Sequence, residues 1–471
     1  MRAALLEALA AGGGRVLYET DGEKLRYDEA LDQVQRLAAA LARQGTGPVV
    51  VYGHKSVGQL VSILACVVAG RCYVPLDTYL PQARLAEIVR QSEAELILAN
   101  AFLALDAPCA RLTPRGLMAA YREGAPLAND NRICYTIFTS GSTGKSKGVP
   151  ISYDNLAHFI RWITTVPPLA GEGGHRLLSV SSFSFDLSVM DLYYAIFTQS
   201  TIVAPGYGVR EEMARLFDEM AETAVDFIVL TPTLAKLLLL DADFDAAALP
   251  AVRWFFFCGE VLEVATARKL AWRFPDARII NAYGPTECTC CVSLAEITPE
   301  LLALPTLPVG RIETAAVDIA LEDDEIILCG ASVFEGYLGV ATDACFESRG
   351  RRCFATSDIG ATEDGWLYCL GRKDDLVKYQ GYRIALGDIE HNLLAIPGVG
   401  EAVAIAQRRE GVVRKLKAFV VLGDHALTEA DLKAQLAKLL PAYMVPRCII
   451  IMETLPVNAN GKYDRKRLES L

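Results

Sequence analysis

The sequence is poor in several features that mark large functional classes. Histidine is scarce, with five in 471 residues, and acidic residues outnumber basic ones by 57 to 46, which gives a formal net charge of −11. This acidic balance argues against nucleic acid or an anionic membrane surface as the main partner. The apolar stretch 60–70 is too short to cross a bilayer and is followed by Arg71. We therefore predict no nucleic-acid binding and no membrane insertion.

Cysteine is present but is not arranged as a disulfide framework or a zinc site. Thirteen cysteines are scattered along the chain, an odd number, which favours free thiols in a reducing cytoplasm. Cys288, Cys290 and Cys291 lie close together, yet no second pair of cysteines or histidines stands at the spacing of a structural zinc site. We interpret them as packed or pocket-lining thiols. None of the five histidines falls within a motif, so no histidine is assigned a function.

Length and hydrophobic patterning indicate an α/β fold with more than one domain. A chain of 471 residues with 52% hydrophobic and 22% charged residues is globular and too long for a single core. Strand-like runs such as 226–230 and 254–257 alternate with helical patterns, which predicts doubly wound α/β subdomains with sites at the carboxyl ends of strands. Short strands from Val309 to about Lys373 predict a small β-rich subdomain, and a small α+β domain follows.

The most informative segment is the loop Thr139–Gly148, which reads Thr-Ser-Gly-Ser-Thr-Gly-Lys-Ser-Lys-Gly and follows a predicted buried strand at 133–138. Its glycines, hydroxyls and lysines can surround a phosphate chain. It is not a Walker A loop, because Thr139 stands where that motif requires its first glycine. A serine–glycine linker is the other alternative, but linkers lack the lysines and do not follow buried strands.

Further motifs occur downstream in a fixed order: Asn281–Glu287, Thr356–Gly360, Gly371–Asp374, Lys378–Arg383 and Asn458–Arg465. With the loop at 139–148, this series resembles the adenylate-forming superfamily of nonribosomal-peptide adenylation domains, acyl-CoA synthetases and luciferases, over essentially the whole chain. The resemblance implies an ATP- and Mg²⁺-dependent, AMP-forming ligase. It also implies an N-terminal adenylation core over 1–373 and a mobile C-terminal domain over 374–471, with the hinge at Asp374.

The resemblance assigns an ATP site. Its members are Thr139, Ser140, Gly141, Ser142, Thr143, Gly144, Lys145, Lys147, Asn281, Ala282, Tyr283, Asp358 and Arg372. Tyr283 is similar to the residue that stacks on adenine, Asp358 to the aspartate that binds both ribose hydroxyls, and the loop to the one that holds the β- and γ-phosphates. Thr286 is expected to bond the α-phosphate, and Glu287 to ligate Mg²⁺.

A catalytic lysine and a moving hairpin are also implied. Lys462 matches the family lysine that bridges the substrate carboxylate and the phosphate and stabilises charge in the transition state. It has to leave before a thiol can reach the acyl-adenylate, so the segment 378–383 is expected to swing in and line a thiol tunnel at Gly381.

The identity of the acid is indicated by the segment Phe183–Asp191. Asp186 resembles the aspartate that pairs with the α-ammonium of the substrate in amino-acid-activating members. A buried, unpaired carboxylate is costly, so this residue implies a cationic ligand, although Asp186 could instead cap the helix that follows. The predicted amino-acid-binding residues are Asp186, Leu187, Met190, Thr233, Phe256, Cys258, Cys290 and Cys291.

The segments Phe256–Leu262 and Leu440–Arg447 resemble the D-alanine–D-alanyl carrier protein ligases, in which the cysteine matching Cys258 lies beside the substrate methyl group. Ala282 replaces a threonine usual in those enzymes, and Cys290 and Cys291 replace small aliphatic residues. A stand-alone nonribosomal-peptide-type adenylation enzyme for L-serine, L-cysteine, glycine or L-alanine therefore stays open.

Two further alternatives also stay open: an acyl- or aryl-CoA synthetase and a catalytically inactive homologue. Glu287, Asp358 and Lys462 argue against the inactive homologue. Only nine residues follow Lys462, so we expect a separate phosphopantetheinylated carrier protein as partner.

Overall fold

The computed structural model describes residues 1–105, 109–119, 131–140, 146–206, 212–372, 376–409, 412–423, 427–456, 463 and 465–471. Within these ranges the chain forms an α/β portion, a β-rich portion and a C-terminal α+β portion in that order. No helix among the described residues has both the length and the apolar character needed to cross a membrane.

The α/β portion alternates strands and helices. Its strands are β1 (Val16–Thr20), β2 (Glu23–Arg26), β3 (Val49–Tyr52), β4 (Tyr73–Leu76), β5 (Leu96–Ala99), β6 (Ala110–Leu112), β7 (Ile133–Ser140), β8 (Ser146–Ser152), β9 (Arg176–Ser179), β10 (Thr201–Val203), β11 (Phe227–Leu230), β12 (Trp254–Phe257), β13 (Arg278–Tyr283) and β14 (Ser293–Glu296). Its helices are α1 (Arg2–Gly12), α2 (Tyr27–Leu41), α3 (Val57–Ala69), α4 (Gln82–Gln91), α5 (Pro114–Ala119), α6 (Tyr153–Ile163), α7 (Leu187–Phe197), α8 (Met213–Glu222), α9 (Pro232–Leu238), α10 (Val264–Arg273) and α11 (Pro299–Leu302).

These strands form two mixed sheets. One is ordered β14-β13-β12-β11-β9-β10-β1-β2 and the other β6-β5-β3-β4-β7-β8. Pairing is parallel through the interior of each sheet and antiparallel at the edge pairs that β14, β2 and β8 make. The central strand β12 reads Trp-Phe-Phe-Phe and is buried along its whole length, as expected for a parallel strand covered on both faces. The predicted doubly wound α/β architecture is confirmed.

Local sequence signals fix several helix ends. Ser56 caps α3, its hydroxyl accepting a hydrogen bond from the Gln59 amide, and Gly70 ends the helix in the left-handed conformation. Ser152 and Asn155 form a reciprocal capping box at the start of α6. Helix α7 is buried on almost every side because it lies in the main core rather than on the surface. This position holds its first residues rigidly.

The β-rich portion is a mainly antiparallel sheet of β15 (Gly310–Arg311), β16 (Asp318–Glu322), β17 (Glu325–Cys329), β18 (Cys345–Ser348), β19 (Arg351–Glu363) and β20 (Trp366–Arg372). It contains one disulfide bond, between Cys329 on β17 and Cys353 on β19. The expectation of free thiols throughout is therefore wrong for this pair. The two cysteines stand directly opposite each other on paired strands, with Cα atoms 4.0 Å apart, a register that sequence spacing does not reveal. The remaining cysteines form no disulfide bond.

The C-terminal portion has its own core. Its elements are β21 (Leu376–Tyr379), β22 (Tyr382–Ala385), α12 (Leu386–Leu394), β23 (Val399–Arg409), β24 (Val412–Leu422), α13 (Glu429–Leu436), β25 (Cys448–Met452) and α14 (Arg465–Glu469). A three-stranded sheet of β23, β24 and β25 packs under α12 and α13, while β21 and β22 form a separate hairpin. Thr428 caps α13, its hydroxyl accepting a hydrogen bond from the Asp431 amide.

Candidate active site

The candidate site is a cavity of about 750 Å³ between the larger α/β sheet and the C-terminal portion. Residues that directly follow β9, β11, β12 and β13 line one side, as expected for the carboxyl ends of parallel strands. The opposite side comes from the β21–β22 hairpin and from the 3-10 turn Ala442–Met444. Two N-terminal loops that follow β3 and β4 complete the wall.

Asp186 lines this cavity at the start of α7. It occupies the N-cap position of the helix, but its side chain makes no capping hydrogen bond. The alternative that Asp186 merely caps the helix is therefore wrong. Its Oδ2 accepts a hydrogen bond from Thr286 Oγ1 at 2.6 Å, so two residues predicted to serve different substrates are in direct contact.

The segment 284–291 folds back on itself beside Asp186. Thr289 and Cys290 both adopt the left-handed backbone region, with φ of 61° and 76°. A Cβ at Gly284 would lie 2.4 Å from Cys291 Cα, so only glycine permits this approach of two backbones. Consecutive strained non-glycine residues are characteristic of functional sites, and here they direct Cys290 to the cavity wall.

Three predicted pocket thiols lie next to one another. Cys258 and Cys290 line the cavity, and Cys291 is buried and interacts with both. The hydrogen bond with Cys291 lowers the pKa of Cys290, but burial acts in the opposite direction and the pKa is raised to about 12. Hydrogen bonds to Cys258 and Cys290, together with burial, raise the pKa of Cys291 well above its usual value. At neutral pH Cys290 and Cys291 are therefore thiols, not the thiolates that bind zinc.

The other predicted amino-acid-binding residues do not all lie on the cavity wall. Leu187 lines the cavity, whereas Met190 and Phe256 are fully buried in the core behind it. The amide of Thr233 donates to Glu260 Oε2 at 2.9 Å. It is Thr231, two residues earlier, that lines the cavity, and the Thr-Pro-Thr sequence gives no signal to choose between the two threonines.

The predicted adenine and ribose residues are adjacent. Tyr283 and Asp358 are buried, and the Tyr283 hydroxyl donates to Asp358 Oδ2 at 2.7 Å. Burial and the Asp358 carboxylate raise the pKa of Tyr283 well above its usual value, so the hydroxyl stays protonated and acts as a donor. Lys378 Nζ of the hairpin lies 5.5 Å from the Tyr283 ring centroid. Asn281 donates to the Pro308 carbonyl at 2.8 Å.

Glu287 connects the candidate site to the phosphate loop. It is fully buried, and Tyr337 donates its hydroxyl to Glu287 Oε1 at 2.7 Å. Lys147 Nζ lies 5.0 Å from the Tyr337 ring centroid, and Lys147 pairs with Thr139 across β7 and β8. Tyr337 thus brings a carboxylate and a lysine together beside the strands that flank the predicted loop.

Several predicted residues cannot be placed. Gly141, Ser142, Thr143, Gly144, Lys145, Asp374 and Lys462 lie outside the described residues, as do the side chains of Ser140 and Arg372. Ala282 is buried on β13 and does not line the cavity.

The β21–β22 hairpin is docked against the cavity through Gly381. This residue has φ of 86°, and a Cβ there would lie 2.6 Å from Thr231 Cγ2. Its amide donates to Glu260 Oε1, while Glu260 Oε2 accepts from the Thr233 amide. Glu260 therefore ties the hairpin to the start of α9.

Aromatic and ionic contacts extend the same interface. Tyr382 stacks on Tyr443 with ring centroids 3.6 Å apart and meets Phe185 edge-on at 4.6 Å. Arg84 Nη2 on α4 lies 3.3 Å from Asp388 Oδ2 on α12. In this arrangement the C-terminal portion closes the cavity.

A histidine that the sequence analysis set aside also lines the cavity. His54 Nδ1 lies 2.8 Å from Asp77 Oδ2, and Asp77 is fully buried. His54 follows β3 and Asp77 follows β4, which are neighbouring parallel strands. The rule that sites lie at the carboxyl ends of parallel strands points to each of the two loops, but the contact between them depends on strand order, which the sequence does not reveal.

Comparison with protein families gives matches over most of the chain. The sequence profile of the AMP-binding enzyme family matches residues 6–338, and that of the AMP-binding enzyme C-terminal domain matches residues 388–462. A D-alanine–D-alanyl carrier protein ligase of Bacillus licheniformis is 38% identical over 96% of this chain and 95% of its own. One of Listeria monocytogenes is 37% identical over 96% and 95%.

Solved structures are similar over nearly the full length. The holo form of an NRPS protein containing adenylation and PCP domains, bound to a vinylsulfonamide inhibitor, has a TM-score of 0.85 and 26% identity, covering 99% of this chain and 83% of its own. The adenylation domain AlmE of Vibrio cholerae, in complex with glycyl-adenosine-5'-phosphate, has a TM-score of 0.82 over 100% of this chain and 97% of its own. At 23% identity, AlmE supports the fold alone.

Proposed function

The chain belongs to the AMP-binding enzyme family, and we propose that it activates D-alanine with ATP and passes it to the phosphopantetheine thiol of a separate carrier protein. The observation that carries the proposal is the Asp186 carboxylate on the wall of the cavity, held there by Thr286. A carboxylate on a binding wall is best matched by a cationic ligand, and an amino acid supplies an ammonium group that a fatty or aromatic acid lacks.

In the first step the substrate carboxylate attacks the α-phosphorus of ATP and pyrophosphate leaves. Two anions have to meet, so the protein contributes charge neutralisation and alignment. We assign Tyr283 to adenine, Asp358 to ribose, and Thr286 to the α-phosphate. Lys147, with the rest of the 139–148 loop, is assigned to the β- and γ-phosphates, and Lys462 to the charge that develops during attack.

Glu287 is the proposed Mg²⁺ ligand. No cluster of three or more His, Cys, Asp or Glu suited to a metal occurs among the described residues. Mg²⁺ binds through one or two carboxylates together with substrate phosphates and water, so it needs no protein cage. The buried Glu287 carboxylate, which accepts a hydrogen bond from Tyr337, has the right chemistry. The ion would neutralise phosphate charge.

In the second step the pantetheine thiol attacks the aminoacyl-adenylate and AMP leaves. The docked β21–β22 hairpin supports this step, because Gly381 lines the same cavity as Asp186. We propose that the C-terminal domain rotates about Asp374, exchanging Lys462 for the hairpin between the two reactions.

D-alanine is preferred on two grounds. The relatives from Bacillus licheniformis and Listeria monocytogenes, similar over nearly the whole chain, are named D-alanine–D-alanyl carrier protein ligases. Cys258 and Cys290 line the same cavity as Asp186, and we assign their thiols to the small side chain of the substrate. Because the reaction consumes ATP, the proposal includes a cytoplasmic location. The second candidate, a stand-alone adenylation enzyme for another small amino acid, is favoured by Cys290 and Cys291, which suit a polar side chain.

The test is the complete reaction on purified protein with ATP, Mg²⁺, D-alanine and free pantetheine. The proposal expects AMP, pyrophosphate and D-alanyl-pantetheine thioester in equal amounts, detected by mass spectrometry. Product formation with acetate or propionate and none with D-alanine would reject an amino-acid ligase and favour an acyl-CoA synthetase.

A further inference from the structure

His54 and Asp77 form a hydrogen-bonded pair at the cavity wall. His54 Nδ1 lies 2.8 Å from Asp77 Oδ2 and 3.1 Å from Oδ1, and the Asp77 side chain is completely buried. Ser182 and Thr78 also donate to the same carboxylate. A carboxylate in this position keeps the proton on Nδ1 and leaves Nε2 as a hydrogen-bond acceptor. The His54 side chain itself is 22% exposed.

The pair lies on the side of the cavity that the C-terminal portion closes. His54 meets the Tyr79 ring edge-on, with centroids 6.3 Å apart, and both line the cavity. Tyr382 and Tyr443 of the C-terminal portion line it as well, and both act electrostatically on Tyr79. His54 and Asp186 therefore line one cavity together with residues of the C-terminal portion.

Lys55 fixes the direction of His54. Lys55 is buried, and its ammonium donates to Ser179 Oγ at 2.7 Å and to the Ser181 carbonyl at 2.6 Å. Its backbone adopts φ of 38°, which a lysine rarely does. With Lys55 anchored to the larger sheet in this way, the loop presents His54 to the cavity. A surface histidine with only a solubilising role needs no such anchor.

Few other groups on the wall can accept a proton at neutral pH. The titratable residues that line the cavity are His54, Tyr79, Asp186, Cys258, Cys290, Tyr382 and Tyr443. Burial raises the pKa of Tyr443 above its usual value, and Cys290 is a neutral thiol. Asp186 is hydrogen-bonded to Thr286 and is assigned to the substrate ammonium. Imidazole is the commonest general base in enzymes.

We propose that His54, oriented by Asp77, is the general base of the transfer step. Nε2 of His54 removes the proton from the incoming thiol as its sulfur forms a bond to the carbonyl carbon of the aminoacyl-adenylate. The bond between that carbon and the phosphate oxygen then breaks, AMP leaves with the electron pair, and the imidazolium returns its proton to water. The role rests on the proposed function, since it requires an adenylate and a thiol acceptor.

Transfer has to be measured apart from adenylation. Enzyme loaded with ATP, D-alanine and pyrophosphatase is mixed rapidly with free pantetheine, and loss of bound adenylate is followed. His54→Gln keeps a polar side chain but has no basic ring nitrogen, so transfer is expected to slow by about 100-fold. ATP–pyrophosphate exchange with D-alanine is expected to change by less than about threefold. Asp77→Asn, which disturbs the tautomer, is expected to slow transfer by about tenfold or more.

A thiol more acidic than pantetheine distinguishes a general base from a residue that only positions the thiol. Trifluoroethanethiol is a more acidic thiol than pantetheine, so a larger fraction is already thiolate and depends less on a base, and the deficit of His54→Gln is expected to shrink to less than about fivefold. His175→Gln is the matched control, because His175 Nδ1 also lies 2.9 Å from an aspartate, Asp226, but does not line the cavity. It is expected to transfer normally.

If His54→Gln slowed transfer to both thiols equally, or did not slow transfer to pantetheine, His54 would not be the general base. The proposed function would still stand. A wild-type enzyme that forms no D-alanyl-adenylate would overturn the proposed function, and the His54 role with it. Failure of the His54 role is therefore measured in the transfer step, and failure of the proposed function in the adenylation step.

Discussion

Thr286 Oγ1 donates a hydrogen bond to Asp186 Oδ2 across 2.6 Å. One residue belongs to the motif that the resemblance assigns to the α-phosphate, and the other begins the helix assigned to the substrate ammonium. In the proposed function, their contact joins the α-phosphate site to the ammonium site. The hydrogen bond from Thr286 also satisfies part of the hydrogen-bonding capacity of the Asp186 carboxylate, which still lines the cavity.

Asp186→Asn should raise the KM for the amino acid by about 100-fold, because the α-ammonium loses its counter-charge in a closed cavity. The KM for ATP should barely change, since the amide oxygen of the introduced side chain can still accept from Thr286. Steady-state pyrophosphate exchange at varied amino acid and varied ATP measures both constants. Asp243→Asn, at an exposed position, serves as the control. An unchanged amino-acid KM would remove Asp186 from the binding site.

Cys258→Ala should raise activity toward L-alanine more than activity toward D-alanine. In the proposed function, the thiol of Cys258 lies beside the α-carbon of the substrate, where it leaves room for the methyl group in one configuration and crowds it in the other. One methyl group is worth about 1–3 kcal/mol of discrimination, so the change in the D/L ratio of kcat/KM should be about 10-fold to 100-fold. Cys448→Ala, outside the cavity lining, should leave the ratio as it is. A ratio that does not move in Cys258→Ala would show that another residue sets stereochemistry.

Gly381→Ala should slow thiol transfer by at least about tenfold more than adenylate formation. The added methyl group would lie 2.6 Å from Thr231 Cγ2 and would impose a left-handed backbone on alanine. Thr231→Ser removes that methyl of the threonine, so the double variant should recover part of the lost rate. Single-turnover transfer to pantetheine gives the comparison. Equal slowing of both steps would argue against hairpin docking as a requirement for transfer alone.

Stability should depend on pH through Asp388. Burial raises its pKa to about 6, although Arg84 lowers it, while an aspartate in the unfolded chain has a pKa near about 3.9. The folded protein therefore binds this proton more tightly, and the stabilising contribution is complete below about pH 4 and is lost as the pH rises through about 6.

The variant Asp388→Asn lacks this titration. The free energy of unfolding of wild type minus that of the variant should fall by about 1.4 kcal/mol between about pH 5 and about pH 8. Urea denaturation at the two pH values measures it, with Asp243→Asn as the control. A difference that rises with pH would mean that Arg84 outweighs burial.

Much of the site followed from the order of motifs and from the rule that sites lie after parallel strands. Cys258 and Gly284 do line the cavity directly after β12 and β13, and Asp186 lies at the start of α7. How deeply each predicted residue is buried could not be predicted in the same way. Phe256 shares the face of Cys258 but lies deeper in the core, because the cavity ends at Cys258. Met190, one turn after Asp186, is covered in the same core.

Contacts between residues that are far apart in the chain could not be predicted from the sequence. His54 and Asp77 come together only because β3 and β4 are neighbours in parallel register. Cys329 and Cys353 face each other only because β17 and β19 pair at that position. Both pairs depend on strand order and register, which hydrophobic patterning of a single chain does not specify.

Amino-acid-dependent ATP–pyrophosphate exchange on purified protein tests the central claim most directly. D-alanine is to be compared with L-alanine, glycine, L-serine and L-cysteine at equal subsaturating concentrations, with acetate and propionate as the acids that lack an ammonium group. The proposed function predicts the fastest exchange with D-alanine, a modest lead over L-alanine, and little with acetate or propionate. Faster exchange with L-serine or L-cysteine than with D-alanine would contradict it and assign the protein to the stand-alone adenylation enzymes.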